Sequence, residues 1–380
     1  MNRCEQLRQE YEAIQSLKAE FDLAHQEAIK TENLEKAREL KSRIESRISS
    51  LREKLWPFEA LTKKELQEQY ESQRAIFERS GILEKLSTGE MGIKAIDSRE
   101  YTFPTMEEIF KMMKENKEIL KPKTEQGFQK LFIVPFGMKL DDLIEKYKQV
   151  ILKHHREGKL FATKKEPTDP DEPLQLNEAD PIYVWDKYPN ADVSGELVYD
   201  PENLPTTNEE PDAEKRKQLS KGKTKSEKII QQGVWDILLV QDLPNIPREN
   251  QGKIIGGRPQ IDTAGTSIKR YIKRGETIPS PAEYHQAIQN EPIYQNEIGM
   301  TPEDQVIYAL VHLEQTNQVI DDYQGNGSVS YQIGAYFFAS GVVPYVCWGR
   351  VNRRASLGWY GPGDRSDNRG VRAGVRVKKS

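Results

Sequence analysis

Along the first 56 positions, apolar residues recur every three or four residues. Cys4, Leu7, Tyr11, Ile14, Leu17, Phe21, Ala24 and Ala28 make one stripe; Leu34, Ala37, Ile44, Ile48, Leu51 and Leu55 make a second. The positions between them are Glu, Lys, Arg and Gln, the pattern of amphipathic helices whose apolar seam needs a partner. The polar run Lys30-Thr31-Glu32-Asn33 separates the stripes. Thr31 or Asn33 is the expected cap of the second helix, and Pro57 ends it. The spacing predicts a helical hairpin or coiled coil over residues 1–57, closed on itself or joined to a second copy.

Residues 58–125 read as a helical connector, with helices expected over Leu61–Phe77 and Met106–Leu120 and loops at Gly81, Gly89 and Gly92. The main boundary is expected near residue 125. Beyond it, Leu131–Phe136 suits a short strand and Leu140–His154 an amphipathic helix. Pro181–Trp185, Gly195–Tyr199 and Val234–Val240 read as strands. Residues 200–228 are polar and read as a mobile insertion. Thr301-Pro302-Glu303-Asp304 is a strong helix start, with a Thr cap, Pro in the first turn and acids at the positive dipole end. That helix should run to about Thr316. The expected fold class is α+β.

Composition narrows function by exclusion. The 380 residues carry 56 Lys plus Arg against 60 Asp plus Glu, a net charge of -4. This balance gives no general reason to bind nucleic acid or an acidic membrane. The two cysteines, Cys4 and Cys347, allow neither a disulfide framework nor a Cys-based zinc cluster. The N-terminal segment lacks the apolar core of a signal peptide, and no apolar run approaches the ~18 residues of a membrane span. The expected location is cytoplasmic by default, with non-classical export left open.

Catalytic chemistry finds no foothold. Ser220-Lys221-Gly222-Lys223-Thr224 has Lys217 where a phosphate-binding loop needs Gly. Gly252 to Arg258 is expected to be a structural loop. His25, His154, His155, His285 and His312 are at no metal-ligand spacing; His312, on an apolar helix, is expected to be a packed core residue. Asp321-Asp322 is expected in a turn or in ion pairs with later arginines. With no arranged nucleophile, base or metal set, the expectation is a non-enzyme with no metal and no cofactor.

The most informative segment is the tail. From residue 333 to 377 there is no Lys, Glu, Gln or Met, and every basic residue is Arg. A solvated helical face would not look like this; a compact β structure with arginines held by hydrogen bonds would. Its phrases are Ala335-Tyr336-Phe337, Val343-Pro344-Tyr345-x-x-Trp348, Arg353-Arg354-Ala355-x-Leu357, Pro362-x-x-Arg365-x-Asp367-Asn368 and Gly370-Val371-Arg372-x-x-Val375-Arg376-Val377. In these phrases the tail resembles the variable region of proteins diversified by retroelements (diversity-generating retroelements), built on a C-type-lectin fold shared with formylglycine-generating enzymes. The resemblance is specific over residues 331–377 and looser upstream.

The resemblance implies a C-type-lectin-like domain over 126–380, with a variable tail at about 344–370. It implies that adenines in pyrimidine-ending codons have been randomised, which cannot yield Lys, Glu, Gln, Met or Trp. Trp348 and Trp359 are therefore expected as scaffold. The implied ligand-binding positions are Tyr345, Cys347, Gly349, Val351, Asn352, Ser356, Gly358, Tyr360, Gly361, Gly363, Asp364, Ser366 and Arg369. They should line one exposed patch, with Ala355, Leu357 and Val371 holding the fold. The implied function is non-enzymatic recognition of a macromolecular ligand, protein by preference, with the N-terminal helices available for homo-oligomerisation. The alternative is a structural or adaptor protein working through its coiled coil, with a purely structural tail.

Overall fold

The computed structural model describes residues 3–31, 35–54, 56–166, 168–205, 212–243, 254–255, 258–259, 279–366 and 368–378. It divides the chain into two compact units, Met1–Glu65 and Leu66–Ser380. The fold class is α+β.

In the first unit, α1 (Arg3–Thr31) and α2 (Glu35–Lys54) pack on each other. Leu17, Ala24 and Leu40 form their buried cluster, with Phe21 and Ile44 against it. Tyr11, assigned by spacing to the seam, is 56% exposed, and Leu23 is 66% exposed. Glu32, Asn33, Leu34 and Leu55, and the side chains of Cys4, Leu7, Ala28, Thr31, Ala37 and Leu51, lie outside the described residues.

The second unit opens within α3 (Lys63–Arg79), so the chain divides well before residue 125. Residues 66–125 are also not simply a helical connector. The glycine-rich part holds an antiparallel sheet of β1 (Glu84–Lys85), β2 (Met91–Lys94) and β3 (Glu100–Thr102). Gly92, read as a loop, is a strand residue whose missing side chain lets the Tyr101 backbone approach. Then come α4 (Met106–Glu115), opened by a reciprocal Thr105–Glu108 capping box, and α5 (Lys117–Glu125).

The chain continues through β4 (Phe128–Val134), α6 (Leu140–Arg156), β5 (Ile182–Val184), α7 (Ala191–Ser194) and β6 (Leu197–Tyr199). The described part of the polar insertion is not unstructured. It forms α8 (Ala213–Ser220) and leads into α9 (Lys225–Gln232), whose Lys225 and Lys228 are buried. After β7 (Asp236–Gln241), β8 (Ile254–Ile255) pairs with β9 (Arg258–Pro259). The rest of the Gly252–Arg258 loop lies outside the described residues. Next are α10 (Pro281–Asn290), β10 (Glu297–Gly299), α11 (Pro302–Thr316), β11 (Asp322–Tyr323), β12 (Val329–Tyr331), β13 (Ala335–Phe337), β14 (Val343–Gly349), β15 (Arg354–Tyr360), β16 (Arg369–Val371) and β17 (Ala373–Arg376).

Helix α11 is central. Thr301 and Asp304 cap it reciprocally, Pro302 fills its first turn, and every residue from Pro302 to Leu313 is buried. It packs against α6, β4 and β14. Four strands run in the order β10-β17-β7-β4, all antiparallel. A second sheet runs β16-β12-β14-β15-β5, with β11 also beside β14. The β14–β15 hairpin is thus an inner pair, flanked on both sides.

Candidate functional site

The hairpin register sorts the tail. Val343 pairs with Tyr360, Tyr345 with Gly358, Cys347 with Ser356 and Gly349 with Arg354. Successive strand side chains alternate faces. Tyr345, Cys347, Gly349, Ser356, Gly358 and Tyr360 therefore share one face, and Val346, Trp348, Ala355 and Leu357 share the other. Those last four are at most 2% exposed. Val351 and Asn352 lie in the exposed turn at one end of the hairpin. Gly361, Gly363, Asp364 and Ser366 follow β15 at the other end. Arg369 enters from β16, with its guanidinium 3.3 Å from the centroid of the Tyr360 ring.

The face is not an open patch. Gly349 and Gly358 are buried, and Cys347 and Ser356 are each 7% exposed. Tyr345, Tyr360, Gly361, Ser366 and Arg369 are half-buried; Val351, Asn352, Gly363 and Asp364 are exposed. The cause is the inner position of the hairpin together with large neighbouring rings. Tyr345 and Tyr360 stack at 4.8 Å, and Tyr331 meets Tyr360 edge-on. The Tyr345 ring lies where a side chain at Gly358 would stand. At the Val343 end, Tyr360 packs against a buried cluster that includes Tyr331, Val343, Val371 and α10 residues Ala282, Tyr284 and Ile288. The small residues form a floor and the tyrosines screen it.

Two residues depart from expectation. Trp359, expected as buried scaffold, is 44% exposed. It sits near the end of β15 on the face opposite Tyr345 and meets Trp185 at 5.6 Å, tilted by 45°. Tyr183, absent from the candidate set, pairs with Ser356 across β5, is 38% exposed and carries the Arg354 guanidinium over its ring. Pro181–Trp185 reads as a strand, but nothing local in it reveals a parallel pairing with β15.

The surrounding electrostatics fix the backbone. Asp321 pairs with Arg372 at 2.6 Å and Asp322 with Arg350 at 2.7 Å, so both adjacent acids hold tail arginines. Burial, with help from Asp321, pushes the Cys347 thiol far above its ordinary value, so it is a poor nucleophile. His312 is 6% exposed; burial, reinforced by Lys130, lowers it to about 3. Among the described residues no group of three His, Cys, Asp or Glu could hold a metal ion, and no helix is long and apolar enough to cross a membrane.

Among α7, α9, α11 and β6 lies an ionic cluster that sequence reading missed. The ammonium of Lys225, at 0% exposure, donates to Asp192 Oδ2 at 2.7 Å, Glu303 Oε1 at 3.0 Å and the Met138 carbonyl at 2.5 Å. Tyr199 donates to the same Glu303 oxygen. Burial opposes the charge on Lys225, but Glu303 and Asp192 outweigh it and raise its pKa. Alongside, Lys228 reaches Asp200 at 3.3 Å, and Arg376 reaches Asp236 at 2.9 Å. Burial raises Asp200, yet Lys228 and Arg376 hold it at about 2. These groups tie α7, α9, α11, β6, β7 and β17 together.

No known protein family, curated protein or solved structure matches this chain.

Proposed function

We propose that the chain is a non-enzymatic binding protein of the retroelement-diversified kind, with a C-type-lectin-like domain that recognises a protein ligand through the Tyr345–Arg369 face. One observation carries the reading: the strand register gathers six candidate positions, Tyr345, Cys347, Gly349, Ser356, Gly358 and Tyr360, on one face of β14–β15, while the intervening Val346, Trp348, Ala355 and Leu357 are core. Of these six, Tyr345 and Tyr360 are partly exposed and can meet a ligand directly, while the four buried ones shape the floor beneath them; replacing the exposed ones costs far less than changing the core. The turn at Val351-Asn352 and the Gly361–Ser366 segment extend the set beyond both hairpin ends. A rigid strand pair binds without the entropy cost of ordering loops. In this reading the N-terminal helices form a coiled coil that assembles copies and raises avidity.

Sequencing the DNA that flanks the coding region tests it. The expected result is a reverse transcriptase gene and a near-copy of the codons for 344–370 that differs at adenines, chiefly at the candidate positions. A flanking region without such a copy would sink the diversification reading. An adaptor role through the helices has its own observation, the exposed Leu23 on α1. It predicts partner capture by residues 1–65 that persists when the tail positions are changed.

A further inference from the structure

We infer that the β14–β15 face takes an acidic protein surface, whose carboxylates anchor on Arg369 and Arg353. The inference rests on this face being the recognition surface and names the chemistry of its partner.

Seven arginines lie between residues 350 and 376. Five have a carboxylate partner. Arg350 meets Asp322 and Glu172, each at 2.7 Å. Arg354 meets Asp180, Arg365 meets Glu283 at 2.5 Å, Arg372 meets Asp321 and Arg376 meets Asp236. Among the described residues, Arg353 and Arg369 have no carboxylate partner. Arg353, exposed in the hairpin turn, donates to the neutral Gln175 Oε1 at 3.0 Å. Arg369, half-buried, has its guanidinium carbon 3.3 Å from the centroid of the Tyr360 ring and also interacts with the Tyr331 hydroxyl.

A guanidinium stacked on a ring keeps its N–H donors in its own plane, directed away from that ring. Such a fork is matched by a carboxylate in two parallel hydrogen bonds. Partial burial makes an uncompensated cation costly, so a counter-charge from a partner is favoured there. The two cations are also far apart. The paired strands are seven residues long, with Tyr360 at one end and the Arg353 turn beyond the other. At about 3.3 Å per residue this spans roughly 20 Å. No small carboxylate bridges that distance, whereas two acidic side chains on a protein surface do. Between them, Tyr345 and Tyr183 offer amphipathic contact area of the kind enriched in binding surfaces. Nucleic acid fits less well. It is held by many cations along a continuous phosphate track, and here Arg350, Arg354 and Arg365 are already paired with Glu172, Asp180 and Glu283.

The test uses the full chain and three labelled probes followed by fluorescence anisotropy: deca-glutamate peptide, deca-glutamine peptide and a ten-nucleotide oligo-dT. Deca-glutamate should bind, more weakly as salt rises, and deca-glutamine should not. Arg353→Gln and Arg369→Gln should each weaken deca-glutamate binding about tenfold, the scale of one charge-assisted hydrogen-bonded contact. Arg369→Lys, which keeps the charge without the fork, should fall between. Arg99→Gln, on the exposed turn between β2 and β3, should leave binding unchanged. Melting temperature is read for every variant; if Arg369→Gln destabilises the fold, Arg353→Gln in the exposed turn decides. Equal binding of the two peptides, or wild-type binding by Arg353→Gln, overturns the inference, and oligo-dT binding as tightly as deca-glutamate overturns it in favour of a phosphate partner. Failure here with a near-copy found in the flanking DNA removes only the acidic partner; absence of that copy removes the diversification reading instead.

Discussion

Replacing Lys225 by Met tests how the buried ionic cluster contributes. Met keeps the unbranched length of the side chain and removes its charge. Asp192 and Glu303 would remain at 2% and 0% exposure, and one oxygen of each, Asp192 Oδ1 and Glu303 Oε2, already lacks a hydrogen-bond partner. Breaking a buried ion pair from one side costs about 3–5 kcal/mol, because the surviving charge stays desolvated. That is a large part of the ~5–15 kcal/mol of a typical domain. The triple variant Lys225→Met, Asp192→Asn, Glu303→Gln should recover most of it. Its amide oxygens still accept from the Leu140 N–H and the Tyr199 hydroxyl, the contacts now made at 2.9 and 2.6 Å. Urea unfolding of the full chain, followed by tryptophan fluorescence, measures both variants. A loss below about 1 kcal/mol for Lys225→Met, or a triple variant no better than the single one, would refute this reasoning.

Trp348→Ala should destabilise the second unit by about 3–5 kcal/mol, as for a fully buried aromatic, while Trp359→Ala, at 44% exposure, should cost less than half as much; thermal melting ranks them, and equal costs would contradict the burial described. Asp304 is raised to about 7 by burial and then by Asp236 and Glu303, against the pull of Lys228. Arg376 and Tyr199 also face it. Its folded pKa exceeds the ordinary 3.8, so its contribution is complete below about pH 4 and is lost as pH rises to about 7, on the order of 4 kcal/mol in all. His312 titrates in an overlapping window with the opposite sign, so the difference between wild type and Asp304→Asn is the quantity to plot; a flat difference from pH 4 to 7 would dismiss the assignment.

Much of the architecture was legible in local pattern. The Thr301-Pro302-Glu303-Asp304 start marks α11 because capping is a short-range matter of one hydroxyl, one proline and one acid. The Leu143, Ile144, Tyr147, Val150 and Ile151 face marks α6 for the same reason. The three-stranded sheet at 84–102 was hidden, because strands of two to four residues with mixed burial carry no periodic signal and its glycines imitate loops. The insertion looked mobile because Lys225 and Lys228 count as solvated residues until Asp192, Glu303 and Asp200, distant in sequence, arrive around them. The tail's alternation was readable from its phrases. Its depth was not: burial of Cys347 and Ser356 comes from neighbouring strands and from tyrosine rings whose lean no spacing records. The partial exposure of Trp359 was not legible either, because a codon argument restricts residue identity and says nothing about burial.

The inner place of β17 has a consequence for synthesis. Residues 373–376 lie between β10 and β7, so that sheet stays split into separate edges until they emerge from the ribosome and thread into the gap. Everything upstream, the hairpin included, is made before this keystone is in position. A chain cut short by a frameshift anywhere in 344–370 would expose the unpaired edges of β7 and β10, a surface open to strand addition and to proteolytic clearance. Completion of reading through the tail is thereby coupled to survival of the folded product.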